Sequence, residues 1–171
     1  MRLPKLNITA TIVKFIAAFF LCLSVTASNA APSLHLSVQD INGDAFSLSE
    51  YSGSVVYVDF WASWCGPCRK SFPWMNAMHQ KYANQGLKII AINLDTETKL
   101  AQQFLTQIQA DFTIAYDPDM HVATEFEILG MPSSYLFNRK GELVAKHVGF
   151  YREEQAKYEA EIQRWLESVD D

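Results

Sequence analysis

Val55-Val56-Tyr57-Val58-Asp59-Phe60-Trp61 is followed, after Ala62-Ser63, by Trp64-Cys65-Gly66-Pro67-Cys68. The first segment is an apolar run of strand length and reads as a buried strand. From Arg69 onward the pattern is that of a helix. The first sulfur therefore stands at a strand-to-helix junction, beside N–H groups that no helical carbonyl satisfies. Those groups and the helix dipole favour a thiolate. The second sulfur is one turn away, close enough to close a disulfide. A pair so placed exchanges a disulfide with another molecule.

Other uses of two cysteines fit less well. A structural zinc site needs four ligands. The third cysteine, Cys22, lies in the first thirty residues, and His35, His79, His121 and His147 are scattered singly. A purely structural disulfide across so short a loop constrains the unfolded chain little. Haem attachment would place His directly after the second cysteine, where Arg69 stands.

Outward from this motif the elements alternate. Leu34 to Val38 alternates like a strand, Asn42-Gly43 is a hairpin turn, and Ala45 to Leu48 returns. After strand 55–61 a helix is expected over about 66–84, with Pro73 inside it and Gly86 ending it. Leu87 to Leu94 reads as a buried strand. Leu100, Phe104 and Ile108 share one face of a helix over 97–109. Phe112 to Tyr116 is a short strand, and a helix spans about Asp119 to Phe126. Strands at Ser134 to Asn138 and Leu143 to Val148 meet at Arg139-Lys140-Gly141. Tyr158, Ile162, Trp165 and Val169 mark an amphipathic C-terminal helix. This order predicts an α/β fold, a central mixed sheet flanked by helices, with an extra N-terminal β-hairpin.

The 171 residues suit one domain, residues 31–171, behind a leader. Arg2, Lys5 and Lys14 form a basic start, Phe15 to Val25 an apolar core, and Ser28-Asn29-Ala30 a small-residue cleavage site. Residues 1–30 are thus expected to be a signal peptide cleaved after Ala30; an uncleaved anchor over residues 8–25 is the rival reading. Without the three basic residues of the leader, 11 basic side chains face 19 acidic ones, a formal charge of −8. That argues against nucleic acid and against an anionic membrane surface. Two remaining cysteines in an exported chain imply electron exchange outside the cytoplasm, in the periplasm.

Val58-Asp59-Phe60-Trp61-Ala62-Ser63-Trp64-Cys65-Gly66-Pro67-Cys68-Arg69-Lys70, followed by Pro73, resembles thioredoxin. Asn42-Gly43 through Ser47-Leu48-Ser49-Glu50-Tyr51-Ser52-Gly53 and Gly130-Met131-Pro132-Ser133-Ser134-Tyr135-Leu136-Phe137-Asn138-Arg139-Lys140-Gly141 resemble the exported TlpA-like reductase branch of that superfamily. The resemblance covers nearly all of 34–170 and implies a thioredoxin-like fold and a protein-disulfide reductase without cofactor or metal. By the resemblance, Cys65 is the exposed nucleophile and Cys68 the more buried resolving thiol. Pro132 matches a cis-proline that turns the backbone of Met131 toward an extended substrate, and Trp64, Gly66 and Pro67 border the same surface. Asp59 falls where thioredoxin carries its buried acid, which implies a proton acceptor for Cys68. Burial on both faces of the strand predicts a raised pKa for it. Many TlpA-like proteins have an amide there. Glu97 lies near a second acid of some members, although Asp95-Thr96-Glu97 also suits a helix start.

The implied partners are disulfide-bearing proteins, with apocytochrome c and mispaired cysteines as client classes, and a membrane thiol–disulfide carrier as electron donor. A monomer is expected. The rivals are a periplasmic dithiol oxidase or isomerase and a thioredoxin-fold copper chaperone. The chaperone usually adds a distant His and spaces its cysteines further apart. A peroxiredoxin-like peroxidase would need Thr or Ser and Pro shortly before its nucleophile, and Phe60 to Trp64 has no such pattern.

Overall fold

The structure, a computed structural model, describes residues 31–168. The expected leader, residues 1–30, lies outside the described residues. The strands are β1 Ser37–Gln39, β2 Ala45–Ser47, β3 Val55–Trp61, β4 Leu87–Asn93, β5 Thr113–Tyr116, β6 Ser133–Phe137 and β7 Leu143–Val148. The helices are α1 Cys68–Tyr82, α2 Thr98–Gln107, α3 His121–Glu125 and α4 Gln155–Glu167. One sheet runs in the order β2-β1-β5-β4-β3-β6-β7. β3, β4 and β5 are parallel, and the remaining pairings are antiparallel. This is the thioredoxin-like fold with the expected N-terminal hairpin, β1–β2.

β3 is central, and all seven of its residues are buried. A strand covered on both faces needs apolar side chains in both directions, which is why it reads as an unbroken run. Val55, Tyr57 and Trp61 face one core, shared with Phe72, Met75 and Met78 of α1, Phe104 of α2, and Tyr158 and Ile162 of α4. Val56, Val58 and Phe60 face the other, with Leu48, Val122, Phe126 and Tyr135. Alternation puts Asp59 on the first face, the one that also holds both sulfurs.

Two expectations shift. The first strand begins at Ser37, because Leu34 is buried through a turn and not by sheet pairing. On α2, Leu100 is 40% exposed while Ala101 and Phe104 are buried. The small Ala101 sits on the core face, so the helix is rotated from the face that large residues alone suggest. α1 continues through Pro73, and Gly86 takes up a left-handed conformation (φ 99°) after it.

Candidate active site

The site is built where β3 ends. Its register with β4 pairs Trp61 with Asn93, and its register with β6 pairs Phe60 with Ser133. The loop after β3 and the loop before β6 therefore lie side by side. In the first, the Cys65 N–H donates to the Ala62 carbonyl at 3.0 Å, closing a turn. Asp95, just past β4, pins that turn. Its Oδ2 accepts the Ser63 N–H at 2.9 Å and its Oδ1 accepts the Ser63 hydroxyl at 3.0 Å. Asn93 in turn donates to Asp95 Oδ2 at 2.8 Å.

α1 begins at Cys68, within the span expected for it, with Pro67 as its N-cap at φ −62°. The proline ring holds that angle and has no N–H to lose. Cys65 and Cys68 form a disulfide, with Cα atoms 5.3 Å apart. The Cys68 N–H, one of the orphan donors of the helix start, donates to Cys65 Sγ at 3.2 Å. After reduction the same N–H would face a thiolate, which a helix N-terminus stabilises.

Exposure differs from expectation at Cys65. It was expected to be exposed, yet only 4% of it is accessible, against 0% for Cys68. In the disulfide the Cys65 sulfur is drawn inward to Cys68 and covered by the helix start. Trp64 at the turn is 72% exposed, and Gly66 and Pro67 are exposed beside it.

The second loop carries the cis peptide bond Met131–Pro132. Ser133 Oγ donates to the Gly130 carbonyl, and the Gly149 N–H donates to the Pro132 carbonyl, both at 2.7 Å. Met131 is half-buried and packs against both cores. Among the described residues, neither its N–H nor its carbonyl joins a backbone hydrogen bond.

Asp59 is 2% exposed, and its Oδ2 has no hydrogen-bond partner among the described residues. Loss of water around the carboxyl pushes its pKa well above the ordinary value of 3.8. Glu97 stands exposed at the N-cap of α2, where its carbonyl accepts the Leu100 N–H. The enclosed acid at this end of β4 is Asp95. Sequence reasoning missed it, having read Asp95-Thr96-Glu97 as a helix start.

Residues 27–146 match the model of the AhpC/TSA family. The chain belongs to the AhpC/TSA family. Relatives within reach are thiol–disulfide oxidoreductases. ResA of Bacillus cereus, a thiol–disulfide oxidoreductase, is 34% identical over 119 residues, 69% of this chain and 68% of that one. ResA of Bacillus subtilis is 30% identical over 121 residues, 71% of this chain and 66% of that one. A crystal structure from Chlorobium tepidum, assigned as a thiol:disulfide interchange protein DsbE, is 43% identical with a TM-score of 0.76, covering 80% of this chain and 96% of the other. StoA from Bacillus subtilis is 26% identical with a TM-score of 0.61, covering 73% and 95%. This AhpC/TSA family member is thus a TlpA-like thiol–disulfide oxidoreductase of the thioredoxin superfamily.

Proposed function

We propose that this oxidoreductase works as a reductant of extracytoplasmic proteins, with Cys65 as the attacking sulfur and Cys68 as the resolving one. The observation that carries the reading is the hydrogen bond from the Cys68 N–H to Cys65 Sγ, made while Cys68 itself is wholly enclosed. It gives the first sulfur a donor for its thiolate and denies outside disulfides access to the second.

Cys65 attacks a client disulfide and forms a mixed disulfide. The client segment lies extended against Met131, whose free N–H and carbonyl pair with its backbone. Trp64, Gly66 and Pro67 supply the exposed apolar border. Burial makes the carboxylate form of Asp59 a stronger base, and in that form it takes the proton of Cys68 as that sulfur displaces the client. Gly66-Pro67 is thioredoxin's dipeptide, which favours the reducing direction. Apocytochrome c thiols and mispaired cysteines are suitable clients, and a membrane thiol–disulfide carrier would return the electrons. The protein acts as a monomer in the periplasm, its leader cleaved after Ala30. Among the described residues, no helix is long and apolar enough to cross a membrane.

Equilibration of the full chain with glutathione buffers tests the direction. A potential below roughly −200 mV is expected, and one near about −120 mV would make it an oxidant. Cys65→Ser should abolish insulin reduction, and Cys68→Ser should accumulate a mixed disulfide. Alkylation of the reduced protein first at Cys68 would reverse the two roles.

A further inference from the structure

The start of α1 and the turn before α4 border a cleft of about 440 Å³. On the α1 side stand Arg69 and Lys70, the two residues after Cys68, and across from them stand Arg152 and Gln155. Pro73 and Trp74 add apolar surface between the two. The cleft adjoins the exchange site from two directions. One is the helix start itself, which runs from the disulfide into Arg69 and Lys70. The other comes from the cis-proline loop. The Gly149 N–H donates to the Pro132 carbonyl at 2.7 Å, Phe150 packs on Trp74 with ring centroids 5.7 Å apart, and Arg152 follows two residues later.

Arg69, Lys70 and Arg152 are all exposed, and among the described residues none of the three forms an ion pair. The Arg69 guanidinium donates to Gln107 Oε1, a neutral acceptor, at 3.1 Å and lies 4.9 Å from the Phe104 ring centroid. Glu154, close to Arg152 in the chain, is directed at Lys157, 3.9 Å away. Three cations thus surround one cleft without counter-charge, in a chain whose formal charge is −5. Like charges around a cleft with apolar surface concentrate its potential. A carboxylate on a short aliphatic stem fits both parts, the stem on Pro73 and Trp74 and the oxygens on the cations, where charge-assisted hydrogen bonds are strong.

We propose that this cleft docks an acidic stretch of the client next to its exchanging cysteine, so that the enzyme selects disulfides flanked by Asp or Glu. The proposal deepens the reductase reading and rests on Cys65 as the attacking sulfur. Arg69 and Lys70 lie in the first turn of α1, about 5 Å of helix rise. An extended client advances about 3.3–3.6 Å per residue, so side chains roughly two to four residues from its cysteine reach the cleft. The net negative charge of the chain turns such a segment away from other approaches, which favours this one orientation.

The test uses peptides that are identical except that the positions flanking a single cysteine are Glu, Gln or Lys. Each cysteine is carried as a mixed disulfide with thiopyridine, a leaving group that drives the exchange forward whatever the potential of the enzyme. Cys65 of the reduced full chain attacks the peptide sulfur, and thiopyridone leaves with the electron pair and is protonated. Cys68 then displaces the peptide thiol as the enzyme disulfide closes, so the dithiol is oxidised and the peptide disulfide reduced. At low ionic strength thiopyridone release is expected to be roughly tenfold faster with the Glu peptide than with the Gln peptide, and slowest with Lys. The net charge of the chain alone would give the reverse order. Joint replacement Arg152→Gln and Lys70→Gln should bring the Glu-to-Gln ratio toward one, and the ratio cancels any change in the Cys65 thiolate itself. Arg152→Glu should shift the preference toward Lys, and salt at about 1 M should flatten the order. Equal rates with the three peptides, or a Glu preference that survives the joint replacement, would overturn the docking and leave the Cys65 role standing. Release by Cys65→Ser at the wild-type rate would overturn both. Binding of phosphatidylglycerol vesicles that depends on Arg152 and Lys70, with no peptide preference, would give the cleft to an anionic membrane surface and also overturn client docking.

Discussion

Asp95 and Ser63 are joined twice, backbone N–H to Oδ2 at 2.9 Å and hydroxyl to Oδ1 at 3.0 Å, although 32 residues separate them. The pair ties the end of β4 to the turn that presents Cys65. Ala62 and Cys65 anchor the ends of the turn in the core, but Trp64 at its tip is exposed, so this carboxylate fixes the conformation between them.

Asp95→Ala should therefore strand the Ser63 N–H and the Asn93 amide inside the protein. Hydrogen bonds to a charged group contribute on the order of 1.5–3 kcal/mol each, and a buried donor left alone costs a similar amount. A loss of about 3 kcal/mol is expected, with slower insulin reduction. Asp95→Asn should cost less than half of that. Its carbonyl can take the two N–H donors, and its amide can donate to the Ser63 hydroxyl, which reverses its role. Urea denaturation of the three proteins checks this; equal midpoints for both variants would remove the hydrogen-bond explanation.

Asp59 makes stability depend on pH. Its folded pKa is raised by burial above the ordinary 3.8. Between those two values the folded state holds a proton that the unfolded state has released. Stability is thus fully present below the unfolded value and is lost as pH rises toward the folded one, at about 1.4 kcal/mol per pH unit for one proton. Asp59→Asn cannot titrate. Its stability relative to wild type should rise with pH through that window and then level off. Denaturation midpoints from about pH 3 to about pH 8 give the comparison. A difference independent of pH would mean that Asp59 ionises as freely folded as unfolded.

Much of this was legible in the sequence, and the reasons are local. β3 could be bounded from Val55 to Trp61 because a strand covered on both faces carries its own apolar signature. Cys65, Gly66, Pro67 and Cys68 declared a strand-to-helix junction, while the part of Pro67 as the helix N-cap emerged only in the structure. The return strand after Asn42-Gly43 followed from turn chemistry. What depended on register was not legible. His147 looked like an isolated histidine until β7 paired it with Ser134 and β6 paired Ser134 with Asp59. Asp95 looked like a helix-start residue until β4 carried it beneath Ser63. Apolar alternation reports burial and not pairing, so Leu34 was read as strand. Large-residue spacing overlooked Ala101, so Leu100 was placed inward.

Gly86 offers a test of the opposite end of the sheet. It has φ 99°, and a Cβ there would lie 2.8 Å from Arg139 Nη1. That guanidinium donates to the carbonyls of Gly53, Gln85 and Leu166, so it has little freedom to withdraw. Gly86→Ala should destabilise by about 1–2 kcal/mol, from the left-handed backbone and the displaced arginine together. Gly86 precedes β4, and Cys65 follows β3, which runs parallel to β4. Seven residues of strand place them about 20 Å apart. Reductase turnover per folded molecule should stay at the wild-type value. A variant with a wild-type melting temperature would show that Arg139 yields freely.

Trp64 separates binding from folding. Its side chain is 72% exposed beside the disulfide, whereas its neighbour Trp61 is fully enclosed between Phe72 and Phe104. Removing an exposed ring takes little contact area from the core, so Trp64→Ala should change stability by no more than about 0.5 kcal/mol. Trp61→Ala should cost about 3–5 kcal/mol. The exposed indole can instead be covered by an extended client, and aromatic side chains bury large areas at interfaces. Trp64→Ala should then raise KM for insulin several-fold while the rate with a small disulfide such as oxidised glutathione stays close to wild type. Measuring kcat and KM for both substrates decides the matter. An equal loss with both would place Trp64 in the exchange chemistry, and no loss with either would take it out of the client surface.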